Sequence, residues 1–305
     1  MRAKRKAFTP LEIKIRDRES GRLPERHGEG PRFAGSQTDV RKRHRSFLTD
    51  PFRRNFSKGA GFTLIELLVV ISIIALLLAI LMPALTKVKK QARAVACQAN
   101  LRQWGLVLNF YTDDNNGYFM SGSGGSHFEW MEPARPYYKE DEMRFCPMAK
   151  KNEEPGTDHW GTTFTTWETG DFAGSYGINE FLFNPNPSMD TQWGHPTSMN
   201  WRTRNVPGTG YIPAFADCLW VGGAPHYTDD PPEWEGEWHH SYVHNMKRFC
   251  LNRHSESINV IFLDWSIQSV RLKALWRLKW NRDYDVMAPL PVWPAWMGSL
   301  PEPDI

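Results

Sequence analysis

The sequence lacks the short motifs that mark common catalytic and nucleotide-binding sites. It has no Gly-x-Ser-x-Gly nucleophile motif, no phosphate-binding loop and no dinucleotide fingerprint, and no carboxylate pair stands out by its spacing. Its four cysteines form no Cys-x-x-Cys, so a zinc ribbon or a thioredoxin-like site has no support. We therefore expect a protein that is not an enzyme and carries no resident cofactor.

Charge is nearly absent from one stretch. Between Phe62 and Leu85, Glu66 is the only charged residue among 24. As a helix this stretch would be roughly 36 Å long, and the hydrocarbon core of a bilayer is about 30 Å thick. Four basic residues between 87 and 93 end the apolar run abruptly. We predict one membrane-spanning helix.

The small net charge of +3 combines two opposite parts. Residues 1–61 contain 17 Lys and Arg against 7 Asp and Glu, whereas the remaining residues contain 20 against 27. Basic residues before a spanning segment keep that end in the cytoplasm, so we expect the C-terminal part on the periplasmic or extracellular side of an inner membrane. The basic part has no aromatic interleaving, and we predict no nucleic-acid partner.

The start of the apolar run, Gly61, Phe62, Thr63, Leu64, Ile65 and Glu66, resembles the N-terminal signature of type IV prepilins and of type II secretion pseudopilins. The resemblance implies that a prepilin peptidase cuts between Gly61 and Phe62 and methylates the new N-terminus at Phe62. It also implies a helix kink at Pro83. An ordinary signal peptide is cut after its apolar region rather than before it.

Glu66 has two interpretations. An acid near a helix end can lie at the level of the lipid headgroups and have no role. An ionisable group inside a spanning segment costs about 2.5–3.5 kcal/mol at mid-helix, however, and nothing else in this helix is expected to pair with it. The resemblance implies a partner, the free amine of Phe62 on a neighbouring subunit of an assembled fibre. We favour this interpretation.

The chain divides into five parts. Residues 1–61 form a basic, disordered leader that is removed, and a start codon nearer Arg53 is an alternative for its unusual length. Residues 62–85 form the transmembrane and assembly helix, 86–117 its extramembrane half, 118–285 a globular domain and 286–305 a Pro-rich tail. The tail is expected either to pack as an extended strap or to hang free.

The helix is expected to continue beyond the membrane, because apolar residues recur at steps of three and four. These residues are Ala94, Cys97, Leu101, Trp104, Leu108 and Tyr111. They predict a face packed on the globular domain. Asn115, Asn116 and Gly117 are expected to end the helix, which would then have some fifty residues.

The rest of the chain predicts short strands with long connections. Ser175–Asn179 and Gly210–Trp220 are strand-like, and Ile258–Leu263 with Ile267–Leu272 form the clearest pair, joined by Asp264, Trp265 and Ser266. The fold class is therefore α+β and pilin-like, with a long N-terminal helix packed on an antiparallel sheet.

The same region resembles a set of prepilin-like proteins that end in His, nine residues, and Asp-Gly. His254 and Asp264 keep that spacing, although Trp265 replaces the glycine. Further matches are Cys97, Asn100, Leu101, Arg102, Gln103, Tyr111, Asp114, Gly117, Phe145, Cys146, Pro147, Asn259, Leu278, Lys279 and Trp280. We interpret His254 and Asp264 as structural. Because Trp tolerates a positive φ poorly, we expect another turn type, with Trp265 exposed at its tip.

The four cysteines would lie in an oxidising compartment, where they could form two disulfides with three possible connectivities. Cys97 lies on the packed helix face, and Cys146 is its nearest candidate partner, which leaves Cys218 with Cys250. The alternative is four small buried thiols.

Metal sites have weak support. His240 and His244 could share a helical face and bind zinc, but their Trp- and Gly-rich surroundings favour a loop. Asp229, Asp230, Glu233 and Asp264 offer oxygen donors for calcium without the spacing of a known calcium loop. We assign no metal ligand.

Tryptophan is abundant, and several copies lie in loop-like sequence, at Trp130, Trp160, Trp167, Trp193, Trp201, Trp234 and Trp238. Exposed, they could bind polysaccharide; buried, they would anchor loops, which we favour slightly. The preferred function is a structural prepilin-like subunit that assembles with other pilin or pseudopilin subunits. The alternative is a membrane-anchored, polysaccharide-binding module.

Overall fold

The computed structural model describes residues 62–122, 130–151, 159–237 and 244–303. The predicted leader, Gly61, Trp238 and His240 lie outside these residues. Helix α1 runs over Leu64–Asp114, and at 51 residues it has the predicted length. Leu and Ala favour helix along much of it, and the helix continues through Pro83, which cannot donate a backbone hydrogen bond.

Helix α1 has two halves with different surroundings. All residues from Phe62 to Arg93 are exposed. From Cys97 onward, Leu101, Trp104 and Leu108 are fully buried, which confirms the predicted packing face. The first half of the helix therefore projects from the domain, and the second half is part of its core.

The end of α1 follows the predicted signal. Asn115 is the C-cap, and Gly117 has a φ of +84°. The Gly117 backbone N–H donates to the Thr112 carbonyl at 2.7 Å, satisfying an acceptor that the helix end would otherwise leave open. A left-handed residue is easiest for glycine, which explains why the helix stops here.

The described residues form the strands β1 (Trp167–Thr169), β2 (Phe172–Gly174), β3 (Tyr176–Asn179), β4 (Thr191–Gln192), β5 (His195–Pro196), β6 (Pro213–Asp217), β7 (Gly222–Gly223), β8 (Ser257–Phe262) and β9 (Ile267–Arg271). The main sheet contains five of them, in the order β7-β3-β6-β8-β9. The pairing of β3 with β7 is parallel and the other pairings are antiparallel. β1 with β2 and β4 with β5 form separate ribbons. This arrangement confirms the α+β fold class.

Short helices fill the connections. Helix α2 spans Met131–Ala134, and 3-10 helices span Arg135–Tyr137, Asp141–Arg144, Glu180–Leu182, Thr197–Met199, Thr209–Tyr211, Asn245–Arg248, Leu272–Arg277 and Ala295–Met297. The predicted strand at 210–220 is thus shorter than expected, because a 3-10 turn precedes Pro213.

Strand β8 shows how the sheet is covered on both faces. Ile261 packs with α1, whereas Ile258, Val260 and Phe262 belong to a second core on the opposite side. Successive side chains of a strand point to opposite faces, so a strand buried on both sides needs a continuous apolar run. Asn259 is a polar residue in the middle of this strand, and its side chain accepts a hydrogen bond from Gln98 of α1.

The Pro-rich tail helps to close that second core. Met297 is fully buried, and the Trp293 ring meets the Trp276 ring edge-on at 5.3 Å. The Trp296 indole N–H donates to the Pro232 carbonyl at 2.8 Å. The described part of the tail therefore packs as a strap.

The β8–β9 turn corrects one expectation. Trp265 has a φ of +67°, so the left-handed conformation persists although glycine is replaced. Its ring is partly buried against the α1-facing core, near Gly105, rather than exposed at the tip. Burial of a large aromatic surface offsets the strain of about 1–2 kcal/mol for a left-handed L-residue.

Candidate functional site

The N-terminal end of α1 is closed by a reciprocal cap. The backbone N–H and the hydroxyl of Thr63 both donate to Glu66 Oε2 at 2.8 Å, and the Glu66 N–H donates to the Thr63 hydroxyl. Each residue satisfies a polar group of the other, as in a capping box. This corrects the expectation that nothing else in the helix pairs with Glu66. Among the described residues no contact uses Oε1, which remains available to a further donor.

The first half of α1 fits membrane anchoring. Within the described residues, α1 is the helix long and apolar enough to cross a membrane, and none of its most apolar 18-residue window is buried in the protein. Pro83 lies inside this half. Because proline has no backbone N–H, the carbonyl of Ala79 lacks its helical hydrogen-bond donor. The predicted kink at Pro83 stays a prediction.

A second group of functional side chains is buried where α1 meets the sheet. Cys97 comes from α1, Cys146 follows the 3-10 helix at 141–144, Asp217 ends β6, and His254 lies in the turn before β8. Their ligand-type atoms all lie within 4.8 Å of one another. The side chains of Asp217 and His254 are 0% and 2% exposed, and both cysteines are fully buried. We call these four residues the Cys2AspHis cluster.

Pairwise distances within the cluster are short. His254 Nε2 lies 3.2 Å from Asp217 Oδ2 and 3.4 Å from Cys146 Sγ. Cys97 Sγ lies 3.8 Å from each oxygen of Asp217. Thus the imidazole, the carboxylate and the two sulfur atoms face a common centre.

Neighbouring groups hold the cluster in place. The buried Arg253 donates from Nη1 to Asp217 Oδ1 at 3.0 Å and to the Ser175 carbonyl at 2.6 Å. The Asn259 N–H donates to Asp217 Oδ2 at 2.9 Å, and the Tyr176 hydroxyl donates to Cys97 Sγ at 3.3 Å. These partners fix the carboxylate and one sulfur in position and partly compensate for their burial.

The surroundings favour a positive charge on His254 and a negative charge on Cys146. Burial opposes ionisation of His254, but Asp217 and Cys146 outweigh it and raise its pKa to about 9. Burial likewise opposes ionisation of Cys146, but hydrogen bonds from Cys97 and His254 and the charge of Arg253 lower its pKa to about 6. Burial raises the pKa of Cys97. Despite the burial of Asp217, hydrogen bonds and charges from His254 and Arg253 also lower its pKa. The cluster therefore stabilises the thiolate of Cys146 and the carboxylate of Asp217, whereas Cys97 favours the neutral thiol.

The predicted disulfides are not formed. All four cysteines are free and buried. Cys97 and Cys146 do lie together as expected, but their sulfur atoms contact the carboxylate, the imidazole and the Tyr176 hydroxyl. Cys218 and Cys250 belong to the second apolar core, where burial raises the pKa of Cys218 to about 12. These two behave as small apolar side chains.

His254 and Asp264 have separate environments in the described structure. His254 belongs to the Cys2AspHis cluster. Asp264 instead accepts a hydrogen bond from the Ser266 N–H at 2.9 Å and shapes the β8–β9 turn. The interpretation of Asp264 as a turn residue agrees with this contact. For His254, the contacts with sulfur and carboxylate go beyond the strand-start role expected from the sequence.

The acidic and histidine residues near position 230 form hydrogen bonds with nearby backbone groups. The Asp229 carboxylate accepts hydrogen bonds from the backbone of His226 and Met246, and the Asp230 N–H donates to His244 Nδ1 at 3.2 Å. Among the described residues, the Cys2AspHis cluster brings its ligand atoms close enough together to bind one ion, whereas the residues of this loop do not. His240 lies outside the described residues.

Most of the tryptophans considered above are structural. Trp130, Trp167 and Trp201 are buried, and Trp160 stacks on Trp220 with ring centroids 4.4 Å apart. Trp193 is partly buried. Trp234 is 59% exposed and is the clearest surface tryptophan of this set within the described residues.

Sequence reasoning missed Asp217. It lies in the apolar run Pro213–Asp217, where an acid directly after four apolar residues is a weak signal of a buried role. Its three partners were each noticed separately, as disulfide candidates and as a signature histidine. Only the packing of α1 on the sheet brings the four together.

Comparison with known proteins finds a family match at the start of the N-terminal helix. A family model, the prokaryotic N-terminal methylation motif, matches residues 57–82. The type IV wide pilus major component PilA4 of Thermus thermophilus is 47% identical over 58 residues, which cover 19% of this chain and 44% of that relative. The match thus spans less than half of the relative's length. No solved structure matches the chain significantly.

Proposed function

We propose that this chain, a prepilin-like protein over its N-terminal segment, is a structural subunit of a pilus or of a type II secretion pseudopilus. A prepilin peptidase would cut it between Gly61 and Phe62 and methylate Phe62. The methylation motif over residues 57–82 and the similarity to a type IV pilin support this processing. Other copies or related subunits would be its assembly partners.

The observation that carries the proposal is the division of α1. One continuous helix is fully exposed and apolar in its first half and is built into a folded domain in its second half. An apolar helix surface of this length is stable in lipid or against other apolar helices, but not in water. Such a subunit can be anchored in the membrane before assembly and can then pack its helix against the helices of other copies.

Glu66 would guide that packing. Its carboxylate is already fixed by Thr63 through Oε2, and Oε1 is available at the start of the helix. Cleavage before Phe62 would create a free amine at Phe62, four residues before Glu66. In a fibre core with little water, an ion pair between this amine and Glu66 of a neighbour would neutralise both charges.

The orientation in the membrane follows from charge. The basic residues before Phe62 would stay in the cytoplasm, and the sheet domain would lie outside the inner membrane. This topology places the cleavage site on the cytoplasmic side.

Polysaccharide binding receives less support than assembly. A carbohydrate-binding surface needs several exposed aromatic rings, whereas Trp130, Trp167 and Trp201 are in the core. We therefore place the function in the helix rather than in the loops.

The experiment compares three variants in cells that assemble fibres from this protein. Glu66→Ala and Glu66→Gln should be inserted and cleaved normally but should give no fibres. Gln at this position still completes a capping box, so Glu66→Gln separates the charge from the helix cap. Thr63→Ala removes the cap, keeps the charge and should still assemble. Mass spectrometry of the mature N-terminus checks cleavage and methylation in each variant.

Two results would contradict the proposal. Normal fibres from Glu66→Gln would show that the charge is not needed for assembly. A mature protein that retains residues before Phe62, or that starts beyond Leu85, would exclude prepilin-type processing altogether.

A further inference from the structure

The Cys2AspHis cluster has the composition of a zinc site. Zn²⁺ is bound in proteins by cysteine sulfur, histidine nitrogen and carboxylate oxygen, usually with four ligands in structural sites. Cys97, Cys146, Asp217 and His254 offer one such atom each. They come from positions far apart in the chain, so only the folded domain assembles them.

The distances fit one ion at the centre. Zinc bond lengths of about 2.3 Å to sulfur and about 2.0 Å to nitrogen or oxygen give tetrahedral edges of about 3.3 Å between nitrogen and oxygen and about 3.6 Å between sulfur and either. The observed separations are 3.2 Å from His254 Nε2 to Asp217 Oδ2 and 3.4 Å from His254 Nε2 to Cys146 Sγ. Cys97 Sγ lies 3.8 Å from Asp217 Oδ2. Each is within a few tenths of an ångström of a tetrahedral edge.

The surroundings supply what a buried zinc site needs around its ligands. Asp217 is held by Arg253 and by the Asn259 N–H, and Cys97 Sγ accepts from the Tyr176 hydroxyl. The Met148 N–H donates a hydrogen bond to Cys146 Sγ at 3.5 Å. Donors to the ligating atoms orient them and reduce the cost of their negative charge.

Charge balance also favours a divalent cation. Two thiolates and a carboxylate carry three negative charges, and Zn²⁺ leaves one in excess. The guanidinium of Arg253, which is 1% exposed, lies 3.0 Å from Asp217 and cancels that excess. A buried group of charges is far less costly when its total is zero.

Cavities border the cluster on two sides. A cavity of about 650 Å³ is lined by Arg253 and His254 together with Lys87, Lys90 and Ala94 of α1. A second cavity, of about 550 Å³, is lined by Cys146. Two of the four cluster residues, Cys146 and His254, thus line cavities at the surface of the domain.

We propose that Cys97, Cys146, Asp217 and His254 bind one Zn²⁺ as a closed structural site that fastens α1 to the sheet. Cys97 is the ligand on the helix, and the other three belong to the domain. With four protein ligands the site has no open position for substrate, so its role is mechanical rather than catalytic. The ion would cross-link the helix to the domain just beyond the exposed half that anchors the protein.

The test uses the full chain, extracted in detergent without oxygen and without a metal-chelating tag, and a parallel sample with thiols blocked at lysis serves only to detect disulfides. Elemental analysis should find about one zinc per chain. Reduced, metal-free protein should bind added CoCl₂ with the thiolate charge-transfer and tetrahedral d–d bands of a two-sulfur site, and ZnCl₂ should displace it. A chelator should lower the melting temperature, and ZnCl₂ should restore it.

Cys97→Ala and Cys250→Ala form a matched pair, because both remove a fully buried thiol and only Cys97 belongs to the cluster. Cys97→Ala and His254→Gln should lose zinc to background, whereas Cys250→Ala should keep it. If a ligand variant does not fold, the cobalt spectrum of the unmodified chain still shows whether two sulfur atoms bind the metal. Absence of zinc together with no cobalt spectrum would overturn the proposal, as would a Cys97–Cys146 disulfide in the protein as isolated.

Discussion

Truncation of Trp104 tests whether the second half of α1 is part of the domain core. Trp104 is fully buried and lies 5.0–5.1 Å, between ring centroids, from Trp130, Tyr138 and Phe215. Its indole N–H donates to the Met143 carbonyl at 3.0 Å. The residue thus connects the helix both to the sheet and to the segment before Cys146.

The magnitude follows from these contacts. Removing a buried Trp side chain costs about 3–5 kcal/mol, and the orphaned Met143 carbonyl adds about 1 kcal/mol or more. We therefore expect Trp104→Ala to lower the free energy of unfolding by about 4–6 kcal/mol. Trp104→Phe keeps most of the ring packing and should lose about 1–3 kcal/mol. Because small domains have only about 5–15 kcal/mol in total, the alanine variant should be close to unfolding.

The assay is urea unfolding of the detergent-extracted chain, followed by circular dichroism and by fluorescence. Leu106→Ala is the control on the same helix, because Leu106 is 53% exposed and faces away from the core. It should change the free energy of unfolding by about 0.5 kcal/mol or less. Equal effects of Trp104→Ala and Leu106→Ala would refute the conclusion that this half of α1 is part of the core.

Two further predictions concern the backbone and a buried charge. Gly117→Ala should destabilise more than Gly208→Ala in the same unfolding assay. Both glycines have a positive φ, but an added Cβ would lie 2.8 Å from Asn205 Nδ2 only at Gly117 and meets open space at Gly208; equal losses would contradict this. Burial raises the pKa of Glu180, and Arg248 only partly offsets the effect. The stabilising contribution of Glu180 is thus present below its unfolded pKa and is lost as pH rises through its folded pKa. The stability of Glu180→Gln relative to the unmodified chain should therefore increase as pH rises above the unfolded pKa of a glutamic acid, and a constant difference would contradict the assignment.

Local signals in the sequence were enough for the helix. The apolar run after Gly61, with a single charged residue, predicts a spanning segment. The three-and-four spacing from Ala94 predicts the packed face, and Gly117 predicts the end. Each of these depends on residues within one or two helical turns, where spacing alone determines which side chains share a face. The structure confirms the helix, its packed face and its end.

Expectations that depended on the surroundings of a side chain were less successful. Trp265 was expected to be exposed because its φ is costly for tryptophan, but the neighbouring helix offers an apolar surface near Gly105 that offsets the cost. Glu66 was expected to lack a partner within the helix, but the preceding Thr63 reaches it through a capping box. The Thr-x-x-Glu spacing of Thr63 and Glu66 is a sequence signal of this cap.

The amino-acid sequence by itself determined the apolar helix, its single acid and the prepilin-type motif at its start, because all three are contiguous. Only the tertiary structure decided which polar residues meet. Cys97, Cys146, Asp217 and His254 are separated by dozens of residues, and no spacing rule connects them. They become neighbours because α1 packs on one face of the sheet, where β6 ends and the turn before β8 begins.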